Sequence, residues 1–203
     1  MGQTSSPASF SLNLDKKSFY LFTPLLQRGV RVKVRVGCSL RSLLEDQFGL
    51  NPEYLKERVK TVFLDGKPVD DWDTALVHDG SVLALSAAMP GLAGATLRRG
   101  GFFAGMRSQI THREEQSPIS PEEGWVVVKL FNLLIPELGP LLLERGIWVP
   151  PEEFAEFRKS MPDEFRKGDI GSDISGEGRE VNHLRGLEPP SNLSGFFLSV
   201  HFS

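Results

Sequence analysis

Between residues 30 and 36 the chain alternates. Val30, Val32, Val34 and Val36 point to one side, and Arg31, Lys33 and Arg35 to the other. A period of two predicts a strand with one face buried and one wet. The period then changes: Leu40, Leu43, Leu44 and Phe48 form the stripe of an amphipathic helix, with Ser39 as N-cap and Gly49 as stop. Asn51-Pro52-Glu53 starts a further helical turn carrying Tyr54, Leu55 and Val59. Apolar runs at 61–64 and 81–88 predict two more strands, punctuated by the tight-turn pairs Asp65-Gly66 and Asp79-Gly80. Upstream, residues 18–26 read as a strand, joined to 30–36 by a hairpin turn at Gln27-Arg28-Gly29. Residues 1–9 are polar, small and uncapped, and are expected to be disordered.

The second half reads as helical. Ser120-Pro121-Glu122-Glu123 has the form of a capping box, and a helix from there would turn Trp125, Val128, Phe131 and Ile135 inward until Pro136 kinks or breaks it. A leucine-rich helix is predicted over 137–144, stopped by Gly146. A third, opened by Pro150-Pro151-Glu152-Glu153, carries Phe154, Phe157 and Met161 on one stripe. Residues 168–194 are rich in Gly, Ser, Asp, Glu and Pro and read as a mobile loop. At the end Phe196, Leu198, Val200 and Phe202 alternate with their neighbours, as a strand that adds to a sheet edge would.

The order strand, strand, helix, strand, strand is the plan of the β-grasp fold. Three stretches carry a resemblance: Ser39-Leu40-Arg41-Ser42-Leu43-Leu44, Leu64-Asp65-Gly66-Lys67-Pro68-Val69 and His78-Asp79-Gly80-Ser81-Val82-Leu83. Through them residues 30–95 resemble the ubiquitin-like sulfur-carrier proteins of thiamin and molybdopterin biosynthesis, a pattern shared by TGS-type regulatory domains. The resemblance implies a Gly-Gly end just past the last strand, whose carboxylate is adenylated and converted to a thiocarboxylate. At that place stands Pro90-Gly91-Leu92-Ala93-Gly94-Ala95, with Ala95 where the second glycine would be. A second candidate, Leu97-Arg98-Arg99-Gly100-Gly101, is similar to the Leu-Arg-Gly-Gly end of ubiquitin, so Gly100 and Gly101 are the carrier-end candidates.

Composition narrows the chemistry. The 203 residues are 40% hydrophobic and 24% charged, ordinary for a soluble globular protein of one large or two small domains. The formal net charge of −3 is unevenly spread. Residues 1–113 hold 15 Lys and Arg against 10 Asp and Glu; residues 114–203 hold 8 against 16. Neither half is basic enough to point to nucleic acid. The single Cys38 excludes an internal disulfide and favours a reducing, cytoplasmic setting. The most apolar segment, 125–149, contains Lys129, Glu137, Glu144 and Arg145, which would be expensive in lipid, so no membrane span is expected.

Catalytic groups are sparse. His78, His112, His183 and His201 are scattered without metal-ligand spacing, and no nucleophile elbow or metalloprotease motif is present. Cys38 precedes a helix start but has no histidine partner, and reads as an inert thiol. Asp65, Asp70, Asp71 and Asp73 lack calcium-loop spacing. Gly91 and Gly94, with Arg98, Arg99 and Arg107, are a candidate anion cradle of backbone N–H groups and guanidinium forks, although they match no phosphate-loop fingerprint.

The sequence thus predicts an α+β protein: a disordered 1–17, a β-grasp domain at 18–95, a Gly/Arg-rich connector at 96–119, a helical region at 120–165, and a mobile loop with a terminal strand at 166–203. The leading expectation is a non-enzymatic protein-interaction module that needs no metal or cofactor, with a protein partner and with no nucleic acid or membrane partner. The alternatives are a carrier or modifier acting through a processed Gly101, and an anion- or nucleotide-binding regulatory domain. Oligomeric state has no sequence signal.

Overall fold

The computed structural model describes residues 8–87, 89, 91–103, 111–112, 120–161, 174–176, 179–181 and 194–203. The expectations for residues 1–7, for 104–110 and 113–119 with Arg107, and for most of the 162–193 loop lie outside the described residues. In chain order the strands are β1 (Ser9–Leu14), β2 (Val30–Val36), β3 (Cys38–Ser39), β4 (Thr61–Leu64), β5 (Lys67–Pro68), β6 (Leu76–Val77), β7 (Val82–Ser86), β8 (Glu122–Phe131), β9 (Ile147–Val149), β10 (Ile174–Gly176), β11 (Arg179–Val181) and β12 (Phe196–Phe202). The α-helices are α1 (Thr23–Arg28), α2 (Leu40–Ser42), α3 (Pro52–Arg58), α4 (Gly91–Leu97), α5 (Leu134–Arg145) and α6 (Pro151–Ser160). The class is α+β, with mixed parallel and antiparallel pairing. The chain divides into two compact units, one of Met1–Leu25 with Pro140–Ser203 and the other of Leu26–Gly139.

The Leu26–Gly139 unit holds the strand order β2-β8-β7-β4-β5. Strand β8 runs antiparallel to β2, with Val32 opposite Val126 and Val34 opposite Gly124, and parallel to β7, with Leu85 beside Leu130. Strand β7 is antiparallel to β4. The period-two expectation holds for β2: its four valines are buried and its three cations exposed. Gly124, Val126, Val128 and Leu130 repeat that pattern on β8. Each of the larger side chains taken out of water contributes roughly 1.5–3 kcal/mol.

The helical segment after β2 forms as its stripe predicts. The Ser39 side chain accepts from the Ser42 N–H, and Leu40, Leu43 and Leu44 are fully buried. From Leu43 to Gln47 the winding widens to a π-helical turn. Gln47 ties this turn to β2: the Arg35 N–H donates to Gln47 Oε1 at 2.8 Å, and Gln47 Nε2 donates to the Arg35 carbonyl at 2.8 Å. Asn51 caps α3 by accepting from the Glu53 N–H at 2.7 Å. Asp65, at φ +51, shapes the β4–β5 turn and accepts from Val82 N–H and Ser81 Oγ.

The other unit has the order β11-β10-β1-β12-β9. Strand β12 is parallel to β1, pairing Leu12 with Val200, and antiparallel to β9, pairing Phe196 with Val149. Its core includes Leu12, Leu14, Leu198 and Val200, with Phe154 of α6 edge-on to Phe196 at 5.3 Å and Phe10 edge-on to it at 5.2 Å. A Cβ at Gly195 would run into the Trp148 ring, so the approach to β12 admits only glycine.

Several expectations are corrected. Residues 18–26 are no strand: a 3₁₀ helix, Lys16–Phe22, capped by Asp15, leads into α1. Consequently 27–29 is no hairpin turn; Gly29 joins helix to strand at φ +119, and a Cβ there would lie 2.7 Å from Val127 Cγ1. Residues 122–131 are β8 and not a helix, because the valine run pairs on both sides and outweighs the local capping signal. Pro136 instead falls in the first turn of α5, where its missing N–H has no partner to lose. Within the part of the 1–17 segment that is described, the expected disorder gives way to β1 and the start of the 3₁₀ helix, and the expected mobile loop contains β10 and β11. The terminal strand forms as predicted, but between β1 and β9 and not at an edge.

Candidate functional site

After β7 the chain enters α4, whose seat is set by Gly94. A Cβ there would run into the Met89 carbonyl, so only glycine lets α4 pack this closely. Gly94 is therefore a packing residue. Thr96 Oγ1 donates to the Leu92 carbonyl at 2.8 Å, and the Arg98 N–H to the Gly94 carbonyl at 3.0 Å. The turn that follows is anchored at both ends: the Arg99 N–H donates to the Lys60 carbonyl at 2.9 Å, and the Gly101 N–H to the Arg98 carbonyl at 3.2 Å. Gly100 takes φ +63 between them. Gly100 and Gly101 thus form a closed turn.

The two arginines of this turn differ. Arg98 is exposed. Arg99 lies over the face of the buried Trp72, its guanidinium carbon 3.8 Å from the ring centroid, a cation–π geometry. Burial, and then the nearby Arg41, push the Arg99 pKa below its ordinary value, with Asp70 opposing them. Arg41 itself is saturated with carboxylates, bonded to both oxygens of Asp73 and, at 2.9 Å, to Glu45. Those bonds raise the Arg41 pKa and lower that of Asp73.

Two cavities open on the segment. One, of about 610 Å³, is lined by Met89, Gly91, Ala95, Arg98, Gly101, Phe102 and Phe103. Its lining includes an exposed aromatic pair: Phe102 is 95% exposed, and the Phe102 and Phe103 rings meet edge to face at 5.1 Å; Leu92, on the same segment, is 73% exposed. The other, of about 500 Å³, is lined by Lys56, Val59, Lys60, Asp70, Arg98, Arg99 and Gly100. The anion-site candidates are thereby separated. Gly91 lines the first cavity, Arg99 the second and Arg98 both, while Gly94 is packed away and Arg107 lies outside the described residues.

Lys56 and Lys60 join the arginines without having been singled out in the sequence. Lys56 lies in the last turn of α3 and Lys60 just beyond its end, and only the fold brings them to Arg98 and Arg99. Cys38 is held by two contacts, donating to the Arg35 carbonyl at 3.3 Å and accepting from Gln47 Nε2 at 3.3 Å; burial pushes its thiol pKa up. Among the described residues no three His, Cys, Asp or Glu side chains gather to hold a metal ion. No helix among them is long and apolar enough to cross a membrane.

No family model matches the chain, and neither a curated protein nor a solved structure matches it. The resemblance to the ubiquitin-like sulfur carriers is accordingly overturned. The hairpin that the β-grasp plan begins with does not form, since β2 takes its antiparallel partner from 122–131 and residues 18–26 are helical. Chain beyond Gly101 supplies the strand between β2 and β7, so an end at Gly101 would remove part of the sheet itself.

Proposed function

We propose that this protein is a protein-interaction module whose contact surface is the segment from Met89 to Phe103. The observation that supports it most directly is Phe102, 95% exposed with its ring edge-on to Phe103, on the same segment as the 73% exposed Leu92. Single exposed apolar residues are common on surfaces, but an aromatic pair in contact and a leucine all exposed on one short anchored segment concentrate apolar surface there. Large aromatic side chains around a cleft are the anchors that carry binding energy at protein interfaces. The backbone bonds from Arg99 to Lys60 and from Gly101 to Arg98 hold this segment in place, so little ordering is required on binding.

The reading is tested by affinity capture from native lysate with the wild-type chain and with Phe102→Ser and Leu92→Ser variants. A set of proteins retained by the wild type and lost from both variants is expected. Identical sets on all three would refute the assignment, because neither exposed side chain is needed for folding.

A further inference from the structure

Apart from the exposed aromatic pair, we infer that the cleft lined by Lys56, Lys60, Arg98 and Arg99 is a binding site for an oligophosphate, a small anion carrying two or more linked phosphate groups. Four cationic residues line it, against one carboxylate, Asp70, among its described lining residues. Among the described residues none of the four makes an ion pair with a carboxylate. Arg41 nearby shows the contrast, being held by Asp73 and Glu45. Like charges gathered in excess of their counter-charge repel one another, and an anion relieves that repulsion.

The cations are also positioned in advance. Lys60 Nζ donates to the Lys56 carbonyl at 2.9 Å, which keeps its ammonium beside the end of α3. Arg99 is laid on Trp72 and its own backbone N–H is bonded to the Lys60 carbonyl, so the turn and the helix end are coupled. Gly100, with nothing within 4 Å of where a Cβ would stand, leaves the turn uncovered from that side. A cleft of about 500 Å³ is roomier than one tetrahedral anion needs and falls in the size range of small-ligand sites. Guanidinium forks and lysine point charges together suit chains of phosphate oxygens.

Inorganic triphosphate, titrated calorimetrically into the full chain at physiological ionic strength, is the probe. Saturable binding is expected, weakened roughly tenfold or more by Lys56→Gln and by Arg98→Gln, since each removes one charge-assisted contact. Both side chains are exposed, so folding is not at stake. Lys33→Gln, which removes an exposed lysine on β2 paired to Glu123, should leave the affinity unchanged, as should Phe102→Ser. Absence of saturable binding overturns the inference, and so does equal weakening by Lys33→Gln. Tighter binding of an oligoglutamate peptide than of triphosphate would overturn it in favour of an acidic protein segment.

Discussion

At the scale of single residues, the segment after β7 shows how one missing side chain fixes a site. Gly94 presses on the Met89 carbonyl, which sets where α4 lies and therefore where Arg98, Arg99 and Phe102 are presented. Gly94→Ala should cost roughly 1–3 kcal/mol, the range for forcing an extra methyl into a packed place, seen as a lower urea midpoint. An unchanged midpoint would show that α4 is not seated against Met89. Glycines at 91–101 were legible in the sequence, but their division of labour was not. Nothing in a Gly-rich stretch says which glycine meets backbone and which stands open. Arg99 was legible as a cation and illegible as a stacked one, because its partner Trp72 is distant in sequence and buried.

Between elements, the tie from α3 to the first turn of α5 is the clearest electrostatic feature. Tyr54 Oη donates to Glu137 Oε2 at 2.8 Å, and Arg58 bonds both carboxylate oxygens. These bonds, Arg58's above all, hold the Glu137 carboxyl below its ordinary pKa of 4.5. A carboxyl lowered in the folded state adds stability that is present above its unfolded pKa and is lost as pH falls through the folded one. Glu137→Gln should therefore lower the melting midpoint by a few degrees at pH 7, with the gap to wild type closing as the pH drops below about 4.5. A gap that stays constant into acid would remove the carboxylate from the explanation. Elements with strong local signals were readable: the alternation of β2, the leucine stripe after it, the Asn51 cap and the Phe154/Phe157 stripe of α6 all stand as the sequence predicts. Strand β8 was misread because Ser120-Pro121-Glu122-Glu123 imitates a helix start. Its alternating Gly124, Val126, Val128 and Leu130, with a run of β-branched valines, carried the correct signal.

On the scale of the whole molecule, what escaped the sequence is long-range pairing. Strand β8 lies between β2 and β7, so the Leu26–Gly139 unit completes its sheet only with residues beyond the Gly-Gly turn. A recombinant chain ending at Gly101 should lack the cooperative thermal transition of the full chain, measured by circular dichroism. A sharp transition at the parent's midpoint would show that β8 is dispensable. Phe10, Leu12 and Leu14 alternate as a strand should, yet the polar residues before them masked β1, and its partner was undiscoverable from nearby sequence. That partner has a consequence for biosynthesis. The Ser199 hydroxyl donates to the Phe10 carbonyl across 189 positions of chain, and β1 lies alongside β12 along its whole length. A ribosome making this chain therefore releases β1 well before β12, and throughout the synthesis of what lies between them Leu12 and Leu14 lack the strand that shelters them, exposed to chaperones and to other nascent chains.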